Sequence, residues 1–306
     1  LLSSILLFTL SSQSCSNDYL DVKPTQSISA EDLSLYNNNA GAEGFVTTIY
    51  AKFLDWNVSS FSWIGITSIA SDEADKGSSP GDTGGDKNLL DALNFTPTGG
   101  SIEEVFKANY QIVNRCNQAL FFIPQLNNAD AALRDRLIGE AMFLRAFTYF
   151  TLVRTYGGVP IVDHVPVPGN EDDRVMQLTR KTKEEVYAFI EKDLKDAITA
   201  LPDKSAYTGV NVGRASKGAA YALLAKVSLY QKKWQQVVDN CNLVTGYSLT
   251  PDFQEIYKVT GENNAESIFE IQGQGGIGKP GIQQYSQIQG ARGAGGWGWG
   301  FSTPSQ

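Results

Sequence analysis

The chain has 306 residues, of which 42% are hydrophobic, 11% aromatic and 19% charged, a length that suffices for one large domain or two ordinary ones. The formal net charge of −8 repels phosphate backbones, which argues against nucleic acid as a partner. The sequence contains no run of 18 apolar residues, so it predicts no membrane-spanning helix.

The first 14 residues, LLSSILLFTLSSQS, carry no charge and resemble the apolar part of a secretory signal. An initiator methionine and a basic start are missing, so we interpret residues 1–14 as an incomplete lipoprotein signal peptide. Cys15 follows directly, as in bacterial lipoproteins, where a diacylglycerol is attached to the cysteine sulfur. Cys15 is therefore the predicted lipidation site. An ordinary secreted protein with an unmodified cysteine is the alternative, and Gln13 fits the usual small residue poorly.

Residues 15–30 are polar and contain Pro24, which predicts an extended, lipidated leader that holds the body away from a membrane surface. A mainly helical body follows over residues 31–270. Its first apolar face has helical spacing and comprises Ala42, Phe45, Val46, Ile49 and Phe53. Residues 57–100 lose this period and are rich in Gly, Ser and Asp, so they predict a long exposed loop.

Helical patterns return after this loop. Two capping boxes are predicted, one from Ser101 and Glu104 and the other from Thr182 and Glu185. Between them, the segment RDRLIGEAMFLRAFTYFTLVRTYGGVP is apolar on nearly all sides, which predicts a buried helix.

A pair of short helices is predicted in SKGAAYALLAKVSLYQKK and WQQVVDNCNLVTG, where Ala222 and Ala225 allow close approach. This pair resembles a tetratricopeptide repeat unit, which cannot bury its apolar faces alone. Helices near 103–124 and 131–156 would supply the stacking neighbours. The predicted fold class is therefore mainly α, with stacked tetratricopeptide-like helix pairs, long irregular loops and a little β structure.

Two further cysteines, Cys116 and Cys241, lie on apolar faces of predicted helices. Buried thiols are the simpler interpretation, and a disulfide is the alternative in an exported protein. The sequence contains no C-x-x-C motif, so the cysteines indicate neither a zinc site nor a redox site.

The sequence predicts no cofactor. Gly273, Gly275 and Gly278 match G-x-G-x-x-G, but the following Lys279-Pro280-Gly281 cannot start the helix that would bind a pyrophosphate. No Asp or Glu occurs after Glu270, so the acidic residue that binds the ribose is missing as well.

Catalytic and metal sites are equally unsupported by the sequence. His164 is the only histidine, which cannot form a metal cluster by itself, and there is no G-x-S-x-G nucleophile motif. Paired carboxylates such as Asp72–Glu73 can cleave glycosides only at a defined separation, which a sequence does not show. We therefore predict no catalytic residue and no metal.

Four tryptophans lie in or beside glycine-rich, non-helical stretches, namely Trp56, Trp63, Trp297 and Trp299. Residues i and i+2 of an extended strand face the same side, so Trp297 and Trp299 would form one flat platform. Sugar rings stack on indoles, and Asp72, Glu73 and Arg292 are the candidate polar partners for the sugar hydroxyls. The alternative is that the indoles pack against the helical body.

The segment GEAMFLRAFTYFTLVRTYGGVPIV strongly resembles the hallmark of the SusD/RagB family, nutrient-binding lipoproteins of the Bacteroidetes outer membrane. Further resemblances follow in the family's order: CSNDYLDVKP, YQIVNRCNQAL, GRASKGAAYALLAKVSLYQKKW and NNAESIFEIQ, the last being similar to a strand. The final GGWGWGFSTPSQ is similar to a segment well inside family members. The resemblance thus implies that the domain is truncated, with residues 271–306 as a Gly/Trp-rich segment on the ligand side.

The resemblance implies a lipid-anchored protein of the cell surface that acts as a lid on a SusC-type TonB-dependent transporter. It captures an oligosaccharide, or in some members a peptide, and passes it on without catalysis. Ligand contacts in the family come from loop aromatics that vary, so the choice of tryptophans here rests on the residues themselves. The alternatives are a helical-repeat scaffold that binds a peptide or the transporter, and a glycoside hydrolase.

Overall fold

The computed structural model describes residues 32–79, 81–82, 84–273, 283–293 and 295–305. The predicted signal peptide, Cys15 and the leader lie outside the described residues, as do Gly275 and Gly278 of the glycine motif.

The first half of the chain forms α1 (Leu33–Tyr36), α2 (Asn39–Lys52), α3 (Trp56–Ser59), α4 (Phe61–Ile64), a π-helical turn (Gly65–Ile69), β1 (Ala74–Gly77), α5 (Gly85–Asp91) and α6 (Gly100–Phe122). The second half forms α7 (Ala131–Tyr156), α8 (Glu171–Leu178), α9 (Lys183–Ala200), α10 (Lys217–Tyr230), α11 (Trp234–Asn242), α12 (Gln283–Gln289) and β2 (Phe301–Pro304). The prediction of a mainly α fold with little β structure is confirmed.

Helix α7 forms the centre of the larger core. It packs against α6 and α9, and α2 covers both α6 and α7. Phe143, Leu144 and Tyr149 are fully buried, as the apolar pattern on nearly all sides of this helix predicted. Gly139 lets α9 approach closely, because a Cβ atom at this position would lie 2.9 Å from the Cβ atom of Ala200.

The predicted pair of short helices is also confirmed. Helix α10 packs against both α9 and α11, which continues the stack from the larger core. Helix α11, however, contains no buried residue within the described part of the chain.

The two predicted capping boxes have different outcomes. At α9, the Thr182 side chain accepts from the Glu185 backbone N–H, and the Glu185 side chain accepts from the Thr182 N–H, so this box is confirmed. At α6, the box is wrong: Ser101 Oγ instead donates to Asp86 at 2.6 Å. Glu104 accepts from Ser62 Oγ at 2.6 Å, and α6 begins without a side-chain cap.

The sequence predicted a long exposed loop over residues 57–100, and the structure contradicts this for much of the segment. Three short helices, the π-helical turn and β1 occupy it instead. Their apolar side chains form a second core with residues from the end of the chain, comprising Ile64, Ile69, Leu90, Ile288 and Phe301. Helices of four to seven residues leave no sustained period in a sequence and are stabilised by tertiary packing.

The strands β1 and β2 pair antiparallel, with Ala74 opposite Pro304 and Gly77 opposite Phe301. This pairing joins the glycine-rich segment around residues 74–77 to residues 301–304. The strand predicted in NNAESIFEIQ is wrong, because residues 263–272 form no strand. Phe269 of this segment instead packs edge-on against Phe143, with the ring centroids 4.9 Å apart.

Both described cysteines are free thiols. Cys116 is buried in the larger core, and burial raises the pKa of its thiol. Cys241 on α11 is exposed, so the prediction of a buried thiol is wrong at this position.

Candidate functional site

An aromatic cluster lies at the surface of the second core. The rings of Trp56 and Trp299 have centroids 5.6 Å apart, and Phe61 lies 5.4 Å from Trp56 and 4.8 Å from Phe301. We call Trp56, Phe61, Trp299 and Phe301 the indole cluster. Phe301 is buried, whereas Trp299 is 37% exposed. An indole at the surface is thus supported from below by packed rings, which suits it to stacking against a ligand.

Backbone hydrogen bonds fix the position of Trp299. Its N–H donates to the Gln287 carbonyl at 2.8 Å, and the N–H groups of Gly298 and Gly300 donate to Ala291 and Gly290 at 3.0 and 2.9 Å. The backbone segments at Gly290 and Gly298 approach so closely that a Cβ atom on Gly298 would overlap the Gly290 backbone. Glycine at residue 298 is therefore required for this fold of the segment.

A charged clamp holds the same segment against residues 78–82. The Arg292 guanidinium donates two hydrogen bonds to Asp82, of which Nη2 to Oδ1 measures 3.2 Å, and a third to Ser78 Oγ at 2.8 Å. The hydrogen bonds from Arg292 hold the pKa of the Asp82 carboxyl well below its usual range. The Arg292 guanidinium is thus already engaged within the protein, in an ion pair with Asp82.

The predicted platform differs from the observed arrangement. Trp297 and Trp299 do not lie in a strand, since β2 begins at Phe301. The Trp299 ring contacts Trp56, whereas the Trp297 ring lies over Gly290 and is 66% exposed. Trp63 lies half-buried on α4. The structure therefore brings the rings of Trp56 and Trp299 together. Trp297, two residues before Trp299, lies at the surface without joining this pair.

The two candidate carboxylates lie at the other end of the β ladder. Asp72 and Glu73 are exposed, and their backbone carbonyls accept from the Oγ and N–H of Ser305. Trp299 precedes β2, whereas Ser305 follows it. The carboxylates and the indole cluster are thus on opposite ends of the same strand pair.

Sequence reasoning missed Asp82 and Lys87. The buried Lys87 ammonium lies 3.8 Å from the centroid of the Phe61 ring and donates to Ser101 Oγ at 2.6 Å. Burial lowers the pKa of Lys87, even though Asp86 lies next to it. Asp82 belongs to the run SDEADKGSSPGDTGGD. No local spacing could single it out, because its partner Arg292 is 210 residues away in the chain.

The hallmark segment contributes support to the larger core. Arg145 is buried and donates to both carboxylate oxygens of Asp193 at 2.7 and 2.8 Å. It also donates to Asn117 Oδ1 and to the Asp163 carbonyl, both at 2.7 Å. One side chain thus ties α7 to α6, α9 and the loop that follows α7.

Glu140 makes a second buried junction. Its carboxylate is fully buried and accepts from Tyr50 Oη at 2.9 Å and from Arg214 Nη1 at 3.0 Å, as well as from Arg136. Tyr50 Oη in turn accepts from the Ala215 N–H at 2.9 Å. These contacts join α2, α7 and the segment before α10, so Glu140 has a structural role.

The described residues provide neither a metal cluster nor a helix that could span a membrane. They contain no group of three His, Cys, Asp or Glu side chains placed to hold a metal ion. Across the same ranges, no helix combines the length and the apolar character that crossing a bilayer demands.

Comparison with known proteins gives a family match. A SusD-like family model, described as "Starch-binding associating with outer membrane", matches residues 18–229. SusD-like protein P2 of Formosa agariphila is 29% identical over 240 residues, which cover 74% of this chain and 46% of that protein. A SusD-like protein of Bacteroides ovatus is 25% identical over 281 residues, covering 84% and 47%. The chain spans about half the length of the curated relatives it matches.

Solved structures show the same fold. A SusD-like carbohydrate binding protein from Bacteroides fragilis superposes with a TM-score of 0.70 at 25% identity, over 89% of this chain and 52% of that one. A laminarin binding SusD-like protein superposes with a TM-score of 0.65 at 27% identity, over 76% and 50% of the two chains.

Proposed function

Because the chain belongs to the SusD-like family, we propose that it is a non-catalytic lipoprotein of the cell surface that captures oligosaccharides. It is anchored in the outer membrane through Cys15 and delivers the glycan to a SusC-type TonB-dependent transporter. The family description supports the association with glycans and with the outer membrane. The lipid anchor and the transporter remain part of the proposal.

The observation that carries glycan binding is the indole cluster. Its exposed ring, Trp299, rests on Trp56, whose ring contacts Phe61 in the second core. The apolar face of a sugar ring can stack on such an indole without any rearrangement of the protein. A ring that is already held in place loses little conformational freedom on binding.

The other candidate residues take different roles in this proposal. Trp297 extends the stacking surface, and the half-buried Trp63 contributes from α4. Asp72 and Glu73 accept hydrogen bonds from a glycan long enough to follow the β ladder. Arg292 positions the segment through Asp82, since its guanidinium is engaged there.

Titration with laminarin and starch oligosaccharides tests the stacking role. Aromatic stacking on nucleic-acid bases is worth about 1–3 kcal/mol per ring. A comparable loss in Trp299→Ala would weaken binding by roughly tenfold or more. Trp234→Ala is the matched control, because Trp234 is 60% exposed on α11 and lies outside the indole cluster. Unchanged affinity in the alanine variants of Trp56, Trp63, Trp297 and Trp299 would contradict the proposal.

The alternative is a helical-repeat scaffold of the same transporter system that binds a peptide or a protein. One observation favours it: α11 buries no residue and exposes Trp234 and Val238. Capture of the transporter by the protein, combined with a blank glycan array, would support this alternative.

The anchor has its own test. Mass spectrometry of the protein from membranes should find a diacylglycerol on Cys15, and Cys15→Ser should release the protein from the membrane fraction. An unmodified Cys15 would remove the anchor from the proposal. Incubation with glycans should release no sugar, and any turnover by the purified protein would identify an enzyme instead.

A further inference from the structure

A second concavity lies between α2 and α6, and it shares no residue with the indole cluster. Its volume is about 710 Å³, within the range of pockets that hold small ligands. We call it the amide groove. It is lined by Gln111, Asn114, Arg115, Gln118 and Phe122 on α6, by Gly44, Phe45 and Thr48 on α2, and by Tyr36 on α1.

The α6 wall of the amide groove is polar. Its four side chains follow the spacing i, i+3, i+4 and i+7, so they share one face of the helix. The amides of Gln111, Asn114 and Gln118 make no hydrogen bond within the part of the chain that the structure describes. By contrast, Asn109 and Asn117 on the inward face of α6 donate to the Val105 and Val162 carbonyls at 2.8 and 2.9 Å. The groove amides are therefore free to bind a ligand.

The groove also has an aromatic wall, formed by Tyr36 of α1, Phe45 of α2 and Phe122 at the end of α6. Phe45 and Phe122 are stacked, with centroids 5.5 Å apart and planes 23° apart, and Tyr36 lies 5.9 Å from Phe45. Tyr36 is 38% exposed, so its ring is accessible on a packed support. A ligand with an apolar face and a rim of hydroxyl groups would match both walls, and sugars have this shape.

Charge restricts the ligand further. Arg115 is the one charged side chain among the described residues that line the amide groove. It donates to the Thr48 carbonyl at 3.4 Å, and within the described ranges no carboxylate lies at salt-bridge distance from it. Arg136 and Arg145, in contrast, pair with Glu140 and Asp193. A guanidinium without a carboxylate partner matches the bidentate geometry of an acidic group on a ligand.

We propose that the amide groove is a second saccharide site that binds an acidic sugar residue, with the uronate carboxylate on Arg115. The sugar ring stacks on Tyr36, and the side-chain amides of α6 bind its hydroxyl groups. This inference extends the proposed function to a second ligand class and does not depend on the indole cluster.

Gly44 provides a test that leaves the fold intact. It lies exposed within α2, and a Cβ atom there would meet nothing within 4 Å beyond its chain neighbours and the adjacent backbone of α2. Gly44→Leu replaces a poor helix former with a good one and fills the groove. We expect trigalacturonate affinity to fall at least tenfold by calorimetry, while the midpoint of thermal unfolding stays equal or rises. Trp299→Ala should leave this affinity unchanged, which separates the two sites.

Arg115→Gln tests the charge. Wild type should bind trigalacturonate at least tenfold more tightly than its fully methyl-esterified form, and the preference should fall with added salt. In Arg115→Gln, the two forms should bind equally.

Three results would overturn the proposal: no saturable binding of trigalacturonate at millimolar concentration, unchanged binding in Gly44→Leu, or equal binding of acid and ester by wild type. Each of these leaves neutral glycan binding at the indole cluster unaffected, so the failure of one site is distinguishable from the failure of the other.

Discussion

At the scale of single residues, His164 lies between two carboxylates. Its Nδ1 contacts Asp163, and its Nε2 lies 2.8 Å from Asp173 Oδ1. Asp173 also accepts from the Val167 N–H at 2.9 Å, so the imidazole helps to close the loop before α8. The carboxylate of Asp163, and then that of Asp173, accepts a hydrogen bond from the imidazole, and these bonds raise the pKa of His164.

This shift predicts a pH dependence of stability. A histidine with a raised pKa in the folded state contributes stability that is fully present below its unfolded pKa of about 6.5. The contribution is lost as pH rises through the folded-state pKa. We expect the difference in thermal midpoint between wild type and His164→Asn to shrink with rising pH. A difference that is constant between pH 5 and 9 would contradict this role.

Local residue patterns predicted some contacts and missed others. Thr182 caps α9 as expected, and its hydroxyl and backbone N–H both donate to Glu185 of the same box. Ser101 does not cap α6, since its hydroxyl is bound to Asp86 and Lys87 across the second core. A capping box is a local signal, and tertiary hydrogen bonds can replace it.

At the scale of elements, the segment that contains Trp297 and Trp299 is held by contacts distant in sequence. The four tryptophans could be chosen from the sequence because glycine-rich surroundings made them conspicuous. The pairing of Trp56 with Trp299 could not, because the two rings meet through tertiary contacts between segments that are more than 200 residues apart in the chain, including the β1–β2 ladder and the Arg292–Asp82 pair. The same ladder places Asp72 and Glu73 at its far end, which no periodicity in the sequence indicates.

Gly298→Ala should displace this segment. The new Cβ atom would overlap the Gly290 backbone, and overpacking of this kind costs about 1–3 kcal/mol. We expect glycan affinity to fall at least as far as in Trp299→Ala and the Trp299 amide to exchange faster with deuterium. Gly81→Ala is the control, because a Cβ atom there meets nothing within 4 Å. Wild-type affinity in Gly298→Ala would show that the segment's position is unimportant for binding.

At the scale of the whole molecule, the chain builds two cores, and the sequence predicted only the larger one. Long helices such as α7 repeat their apolar pattern over many turns, so their burial is evident. The second core is assembled from short elements of residues 56–91 and from α12 and β2, which are close in space and far apart in sequence. The second core forms only when β1 pairs with β2, and a single sequence does not show this long-range strand pairing.

Arg145→Ala should destabilise the whole larger core. It would leave the Asp193 carboxylate buried without its partner, which costs about 3–5 kcal/mol. For a domain of this size, the midpoint of thermal unfolding should fall by roughly 6–20 °C. Arg174→Ala, which breaks the exposed pair with Glu171, should change the midpoint little. Similar midpoints for the two variants would contradict the structural role of Arg145.

The contact between Trp56 and Trp299 also has an optical consequence. Two indoles 5.6 Å apart with planes inclined by 51° couple their electronic transitions, which gives a paired band of opposite signs in the circular dichroism spectrum. The amplitude of that band reports whether Trp299 packs against Trp56 on α3. The chain thus carries its own label-free spectroscopic probe of the surface that we propose for sugar capture.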